Sequence, residues 1–214
     1  MSGLFVTFEG GEGSGKSTQV ARLSERLRAR GVPVLVSREP GGTPLAERVR
    51  TLLLGDSVGG AASPGPWAEA FLMVAARADL VARVIRPALE ASSVVLCDRY
   101  TDSTLAYQGA GRGLDLELLA AMNRAATGGL APDATLLFDI DPHAGLARRH
   151  GSGNAANRLD REPPEFHTRV RECYLTLARD EPERFVVLDA GEASDALEAR
   201  VWAAIEPRIR AVVR

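Results

Sequence analysis

Apolar runs with strand-like composition alternate with stretches of helical periodicity along the 214-residue chain. Five of these runs are almost continuously apolar, as is typical of strands that are buried on both faces of a parallel sheet. We predict strands over residues 4–8, 33–37, 93–97, 134–139 and 184–188. Because such strands alternate with helices, the pattern indicates an α/β fold.

Helical patterns occupy most of the intervening segments. In the first of them, Val20, Leu23 and Leu27 form one apolar stripe, and Gly31 follows as a stop signal. We predict helices over residues 15–30, 44–54, 66–90, 116–126, 165–179 and 194–213. The pattern shows no internal repeat or dividing linker, so we expect one domain over residues 1–214.

Two loops have unusual compositions. Residues 55–66 are rich in Gly, Ala, Ser and Pro, which favours a solvated connector. Residues 150–157 are small and polar, and four arginines flank them: Arg148, Arg149, Arg158 and Arg161. An arginine-flanked loop in a phosphate-binding protein favours a flexible lid over about residues 142–165, with a solvated connector as the alternative.

The strongest motif occupies residues 10–17 (Gly-Gly-Glu-Gly-Ser-Gly-Lys-Ser) and fits the phosphate-binding loop G-x-x-x-x-G-K-[ST]. It follows a predicted strand and opens a predicted helix, which is the context that this motif requires. Gly13 and Gly15 permit close backbone approach to phosphate, Lys16 neutralises phosphate oxygens, and Ser17 offers a hydroxyl to Mg²⁺. The predicted ATP site comprises Gly10, Gly11, Glu12, Gly13, Ser14, Gly15, Lys16, Ser17 and Thr18.

The lysine of this loop is the only one in the chain, and the remaining 25 of the 26 basic residues are arginines. A compact ammonium fits between the backbone and a phosphate, where a planar guanidinium does not substitute for it. A single lysine also excludes the guanine-reading motif Asn-Lys-x-Asp of GTPases and the separate catalytic lysine of protein kinases. A small-molecule kinase remains.

A second candidate is Asp98, which ends the apolar run Val-Val-Leu-Cys. An acidic residue at the end of such a strand commonly partners a phosphate loop by holding Mg²⁺, usually through water. We therefore predict a magnesium site at Ser17 and Asp98. A helix cap or turn is the alternative for Asp98.

Composition narrows the possible partners. The net charge of −2 does not favour general nucleic-acid binding, and the spacing of the three histidines matches no metal motif. The two cysteines are expected to be reduced. We find neither a signal peptide nor an apolar run near the ~20 residues that span a bilayer, so we expect a cytoplasmic protein without membrane contact.

Several segments, in order along nearly the whole chain, resemble thymidylate kinases. They are residues 38–43 (Arg-Glu-Pro-Gly-Gly-Thr), 45–50 (Leu-Ala-Glu-Arg-Val-Arg), 98–100 (Asp-Arg-Tyr), 103–109 (Ser-Thr-Leu-Ala-Tyr-Gln-Gly) and 157–160 (Asn-Arg-Leu-Asp). The resemblance implies transfer of the ATP γ-phosphoryl group to dTMP, giving dTDP, by a homodimeric enzyme.

The resemblance also implies roles for individual residues. Arg38, Arg50 and Arg99 would surround the dTMP phosphate, and Arg148 would lie over the adenine of ATP. The implied dTMP site comprises Glu12, Arg38, Glu39, Arg50, Met73, Arg77, Arg99, Thr104, Tyr107 and Gln108.

The base and sugar ends of that site differ in chemistry. Arg77 and Gln108 would bond the thymine edge, with Thr104 nearby. Tyr107 would lie beside the sugar, and Glu12 would accept from the 3′-hydroxyl. Family members often place an aromatic ring four residues before the base-reading arginine. Here that residue is Met73, so either its thioether covers the base or the Phe71 ring approaches the base instead.

Members of the family differ in where a catalytic arginine lies. The phosphate loop of this chain contains none, so the sequence resembles the bacterial type with a basic lid. Our candidate is Arg158, with Arg149 second, acting together with Lys16 and Asp98. No general base is expected, because a phosphate monoester has a second pKa near ~6 and is mostly dianionic at pH 7.

We predict a P-loop fold with a five-stranded parallel sheet in the order 2-3-1-4-5, helices on both faces, and nucleotides at the carboxyl ends of the strands. Two alternatives stay open. One is a kinase for another nucleoside monophosphate, such as dUMP, UMP or CMP. The other is a non-enzymatic nucleotide-dependent switch.

Overall fold

The computed structural model describes residues 3–55, 64–151, 153 and 157–212. Its centre is a parallel sheet in the order β2-β3-β1-β4-β5, so the predicted fold class and strand order are confirmed. The strands are β1 (Leu4–Gly10), β2 (Val34–Arg38), β3 (Val94–Asp98), β4 (Ala134–Asp139) and β5 (Phe185–Asp189). The predicted ends are correct to within two residues.

The helices surround this sheet and mostly match the predicted segments. They are α1 (Lys16–Arg28), α2 (Pro44–Leu54), α3 (Pro66–Leu80), α4 (Arg86–Glu90), α5 (Thr101–Thr104), α6 (Leu116–Thr127), α7 (Pro142–Gly151), α8 (Pro164–Asp180) and α9 (Ser194–Val212). The predicted 66–90 helix consists of α3, one π-helical turn (Val81–Ile85) and α4.

Two helical segments were not predicted. A helix follows β3 without a long loop, beginning with α5 and continuing as a π-helical stretch, Leu105–Gly111. Its polar residues and two glycines hide the helical pattern. The predicted lid also contains α7 and a short 3₁₀ turn, Leu159–Arg161.

The hydrophobic core lies on both faces of the sheet. On one face, Val20, Leu23 and Leu27 of α1 join residues of α9 such as Val201 in a cluster with Val6 and Phe8 of β1. The other face buries Phe5 and Val95 against Leu80 and Ile85. Two packed layers of helices therefore fix the strand ends that carry the site.

No helix within the described residues is long and apolar enough to cross a membrane. The predicted connector at 55–66 and the predicted lid loop at 150–157 both fall partly outside the described residues, at 56–63 and at 152 and 154–156.

One charged side chain is fully buried in β1. Glu9 accepts hydrogen bonds from the Tyr100 N–H (2.7 Å), the Ser103 hydroxyl (2.6 Å) and the Tyr174 hydroxyl (2.8 Å). Burial, together with the negative charge of Asp102, raises the pKa of Glu9 from 4.5 to about 7. The folded protein thus binds a proton here that the unfolded chain releases at lower pH.

We predict that Glu9 makes the protein less stable as the pH rises from about 5 to 8. In this window the unfolded chain carries an ionised Glu9, whereas the folded state retains the proton until the pH reaches the raised pKa. In Glu9→Gln this contribution is absent, so its melting temperature should fall less across the window than that of the wild type. Glu25→Gln, on the exposed side of α1, is the matched control and should keep the wild-type slope. Equal slopes for Glu9→Gln and the wild type would contradict the prediction.

Candidate active site

A cleft of about 450 Å³ opens at the carboxyl ends of the central strands. Its walls come from the phosphate loop, the β2–α2 connection, α2, α3, the β3–α5 connection, α5, the π-helical stretch, α7 and residues 157–159. The edge at which parallel strands end is where open α/β sheets bind ligands. The cleft is therefore the candidate site.

The phosphate loop closes around its own lysine. The Lys16 ammonium donates to the carbonyl oxygens of Gly10 (3.0 Å) and Gly11 (2.7 Å) and to the Ser14 hydroxyl (3.1 Å). Burial, reinforced by the positive charge of Arg99, lowers the pKa of Lys16 to about 8. A phosphate in the loop would supply the negative charge that this ammonium needs.

Close packing explains one glycine of this loop. Gly13 has φ of +66°, and a Cβ there would lie 1.9 Å from the Gly145 carbonyl oxygen of α7. The phosphate loop and the beginning of the predicted lid are therefore in direct backbone contact. That contact also brings the backbone of Arg149 close to the loop.

Ser17 and Asp98, the two residues predicted to hold Mg²⁺, lie side by side. The Ser17 hydroxyl donates to the Asp98 carboxylate at 2.6 Å, across the gap between α1 and β3. No group of three or more His, Cys, Asp or Glu side chains that could hold a metal occurs among the described residues. Hard oxygen donors in small number fit Mg²⁺, which usually keeps several waters and takes its other oxygens from phosphates.

Glu12, Arg99 and Tyr107 form a compact cluster beside the loop. One Glu12 oxygen accepts from Arg99 at 2.7 Å and from the Tyr107 hydroxyl at 2.9 Å, and the Arg99 guanidinium lies 4.7 Å from the centre of the Tyr107 ring. Burial opposes ionisation of Glu12, but Arg99 and Lys16 outweigh it and lower the pKa of the carboxyl. Glu12 is thus available as a charged acceptor.

The three arginines predicted to bind a phosphate all line the cleft. Arg38 pairs with Glu47 at 2.9 Å, and Arg50 donates to the Pro40 carbonyl oxygen at 2.9 Å. Burial and the nearby Arg38 lower the pKa of Arg50. Crowded guanidiniums of this kind favour a bound anion.

The structure does not bring Arg77 and Thr104 to the cleft surface, in contrast to the expectation for the base site. Arg77 is completely buried, and its guanidinium donates to Glu39, Thr104, Asn123 and the Tyr100 carbonyl oxygen. Its donors are thus committed to protein acceptors, because the chain buries this charge against the Glu39 carboxylate. Direct bonding of Arg77 to a base remains a prediction that requires one of these contacts to open.

Gln108, Glu39 and Met73, three residues of the implied dTMP site, all line the cleft. Met73 is buried beside Val49 and Leu53, whereas Phe71 is 57% exposed and its ring lies 6.0 Å from that of Trp67. The structure therefore places Met73, and not Phe71, in the lining of the cleft.

The lid arginines have different surroundings. Arg148 donates to the Ala190 carbonyl oxygen at 2.6 Å, and Arg149 pairs with Asp160 at 3.2 Å. Arg158 pairs with Glu69 and donates to the Leu53 carbonyl oxygen at 3.1 Å. All three line the cleft, with Arg158 held on the side formed by α2 and α3.

The sequence interpretation missed Glu69, which lines the cleft although it is only 2% exposed. The sequence did contain a pattern that could have identified Glu69. Glu69, Met73 and Arg77 follow one another at four-residue spacing and so lie on one face of α3. An acidic residue on the inner stripe of a helix needs a partner, and two of its partners are Gln108 and Arg158.

Known proteins resemble this chain over nearly its whole length. A family model described as thymidylate kinase matches residues 8–201. A thymidylate kinase of Deinococcus radiodurans is 53% identical over 206 residues, covering 96% of this chain and 98% of that protein. One from Desulfovibrio desulfuricans is 53% identical over 213 residues, covering 97% of each. The crystal structure of thymidylate kinase from Ehrlichia chaffeensis superposes with a TM-score of 0.75 at 32% identity, covering 95% of this chain and 98% of that one. The chain belongs to the thymidylate kinase family.

Proposed function

We propose that this chain transfers the γ-phosphoryl group of ATP to dTMP, giving dTDP. One observation supports this most strongly: the phosphate loop with Lys16 and the three arginines Arg38, Arg50 and Arg99 open into the same cleft. Two anion sites that share one cavity are what phosphoryl transfer between nucleotides requires.

On the donor side, the loop amides and Lys16 would hold the β- and γ-phosphates, and Arg148 would lie at the adenine. Ser17 and Asp98 are the residues that would hold Mg²⁺. When bound, Mg²⁺ neutralises charge on the phosphate oxygens. The 2.6 Å contact between the two ligand groups supports this assignment.

On the acceptor side, Arg38, Arg50 and Arg99 would hold the dTMP phosphate, and Gln108 would bond the thymine edge beneath Met73. Glu12 accepts from Tyr107 and Arg99 with one oxygen, which leaves acceptor capacity for a 3′-hydroxyl. The same contact holds Tyr107, and its ring would crowd a ribose 2′-hydroxyl.

Catalysis follows from charge and position. The dTMP phosphate is already dianionic at neutral pH, so its oxygen needs no base. The obstacle is repulsion between two anions, which Lys16 and the arginines offset while they keep the oxygens in line. Arg158 is our candidate for the lid arginine that acts on the transferring group, with Arg149 second.

We further propose one nucleoside monophosphate kinase domain over residues 1–214, a lid over about 142–165, and a cytoplasmic homodimer. Exposed apolar side chains on α2, α3 and α6, three helices that pack together, support the dimer. They are Leu45, Leu52, Trp67, Phe71, Leu116 and Leu118.

The substrate assignment is tested by assaying dTMP, dUMP, UMP, CMP and GMP in parallel with ATP. We expect dTMP to have the highest kcat/KM. A preference for GMP would overturn the assignment. Binding of ATP without phosphorylation of any of the five monophosphates would favour a nucleotide-dependent switch.

We predict that Lys16→Arg folds but loses most of its kcat, by about 10²-fold or more. The planar guanidinium cannot occupy the space that the ammonium fills between Gly10, Gly11 and the phosphates. Arg28→Lys, the reverse exchange at the exposed end of α1, should keep wild-type turnover. Near-wild-type kcat in a folded Lys16→Arg protein would contradict the role given to Lys16.

We predict that Arg158→Ala lowers kcat by about 10²-fold while the KM for dTMP changes by less than about 5-fold, because the lid arginine acts on charge that develops during transfer. Steady-state kinetics with dTMP and ATP measures both constants. Arg161→Ala, which removes an exposed arginine outside the cleft lining, is the matched control. A comparable loss in Arg149→Ala and none in Arg158→Ala would move the assignment to Arg149.

A further inference from the structure

We propose that Glu69 is a positioning residue that fixes the orientation of the Gln108 amide, and that this orientation makes the base site select thymine and uracil over cytosine. The inference rests on the proposed function, since it assumes that a pyrimidine base occupies the Gln108 end of the cleft. It gives a specificity role to a carboxylate that the reaction itself does not use.

The contact that carries the inference is buried. Gln108 Nε2 donates to Glu69 Oε1 at 2.7 Å, and both residues are 2% exposed. The other amide atom, Gln108 Oε1, is also buried and has no hydrogen-bond partner among the described residues. Gln108 lines the cleft, and its Oε1 atom has the capacity to accept a hydrogen bond from a ligand there.

The Glu69 carboxylate determines which atom of the Gln108 amide remains for a ligand. A carboxylate offers only acceptors, so the amide must turn its NH₂ group toward Glu69. With the amide reversed, Gln108 Oε1 would face a carboxylate oxygen, and the NH₂ group would lose its buried partner. Glu69 thus commits Gln108 to present an acceptor to the ligand.

Glu69 is itself held in place from its other side. Its Oε2 atom pairs with Arg158 and lies 3.4 Å from Arg112. Guanidiniums only donate, so the oxygen that faces them must be an acceptor. The Glu69 carboxylate thus has a donor at each oxygen: the Gln108 NH₂ group at Oε1 and the Arg158 guanidinium at Oε2. These two contacts fix the direction in which the carboxylate faces Gln108.

The presented acceptor distinguishes pyrimidines at one ring atom. N3 of thymine and of uracil carries a hydrogen and donates, whereas N3 of neutral cytosine has a lone pair and accepts. A donor at N3 satisfies Gln108 Oε1, but an acceptor leaves two buried lone pairs opposed. The 5-methyl group of thymine plays no part in this distinction.

Replacing Glu69 with glutamine should reverse the selection. Arg158 and Arg112 would retain the oxygen of the new side-chain amide, so its NH₂ group would face Gln108. Gln108 would then turn its own oxygen toward that NH₂ group and present its own NH₂ group to the base. A donor in this position matches N3 of cytosine and not N3 of uracil.

The experiment uses the whole 214-residue chain. It tests dTMP, dUMP and dCMP on both the wild type and Glu69→Gln. For each we measure the dissociation constant by calorimetry and kcat/KM with ATP. We expect the preference for dUMP over dCMP to fall by at least about 10-fold in Glu69→Gln, in both binding and kcat/KM. We expect the ratio of dTMP to dUMP to stay at its wild-type value, because it depends on the methyl group.

Glu162→Gln is the matched control. Glu162 approaches the same two arginines, with oxygen-to-nitrogen distances of 2.6 Å to Arg112 and 3.8 Å to Arg158, and no hydrogen bond joins it to Gln108 among the described contacts. We expect its base preference to equal that of the wild type, whatever happens to its turnover. A shift equal to that of Glu69→Gln would assign the effect to the arginines and overturn the proposal.

Two further results would also overturn it. An equal loss with all three nucleotides in Glu69→Gln would show a merely structural role, and a changed ratio of dTMP to dUMP would show a loosened pocket. The failure of the proposed function is distinguishable, because it appears as wild-type protein that phosphorylates none of the three. The binding ratios test Glu69 in either case.

Discussion

Pairing between arginines and carboxylates is the interaction on which the cleft depends. Guanidiniums that converge on a phosphate repel one another until that phosphate arrives, so acidic partners stabilise them in the free protein. The pairs are Glu12 with Arg99, Glu39 with Arg77, Glu47 with Arg38, Glu69 with Arg158, and Asp160 with Arg149. These carboxylates fix the directions in which the cationic groups point.

The pairs differ in what they contribute, and burial decides the difference. Arg38 and Glu47 are about half exposed, and pairs of that kind contribute ~0–1 kcal/mol, so Arg38 can exchange Glu47 for a phosphate at little cost. Arg77 and Glu39 are almost completely buried, and removing one partner of such a pair typically costs about 3–5 kcal/mol. The first pair suits a group that must move to a ligand, and the second suits a fixed wall.

The sequence could predict the local motifs of the site but not the contacts between residues that are far apart in the chain. The phosphate loop, Ser17 and Asp98 could be placed because a local motif and a strand end specify them. The pairing of Arg77 with Glu39 could not, because the two residues are 38 positions apart and meet only in the folded structure. The helix that follows β3 was missed for a related reason: the polar residues of α5 and the π-helical stretch are buried by contacts with other segments, not by an apolar stripe of their own.

In the proposed reaction, the donor and acceptor phosphates meet in one cleft between Lys16 and the three arginines Arg38, Arg50 and Arg99. A crystal structure with dTMP and a non-hydrolysable ATP analogue would show whether they do. We expect the dTMP phosphate among the three arginines, the analogue's β- and γ-phosphates in the loop at Lys16, and the thymine ring at Gln108 and Met73. A dTMP phosphate bound away from these arginines, or a base that does not reach Gln108, would show that the nucleotides bind in another way.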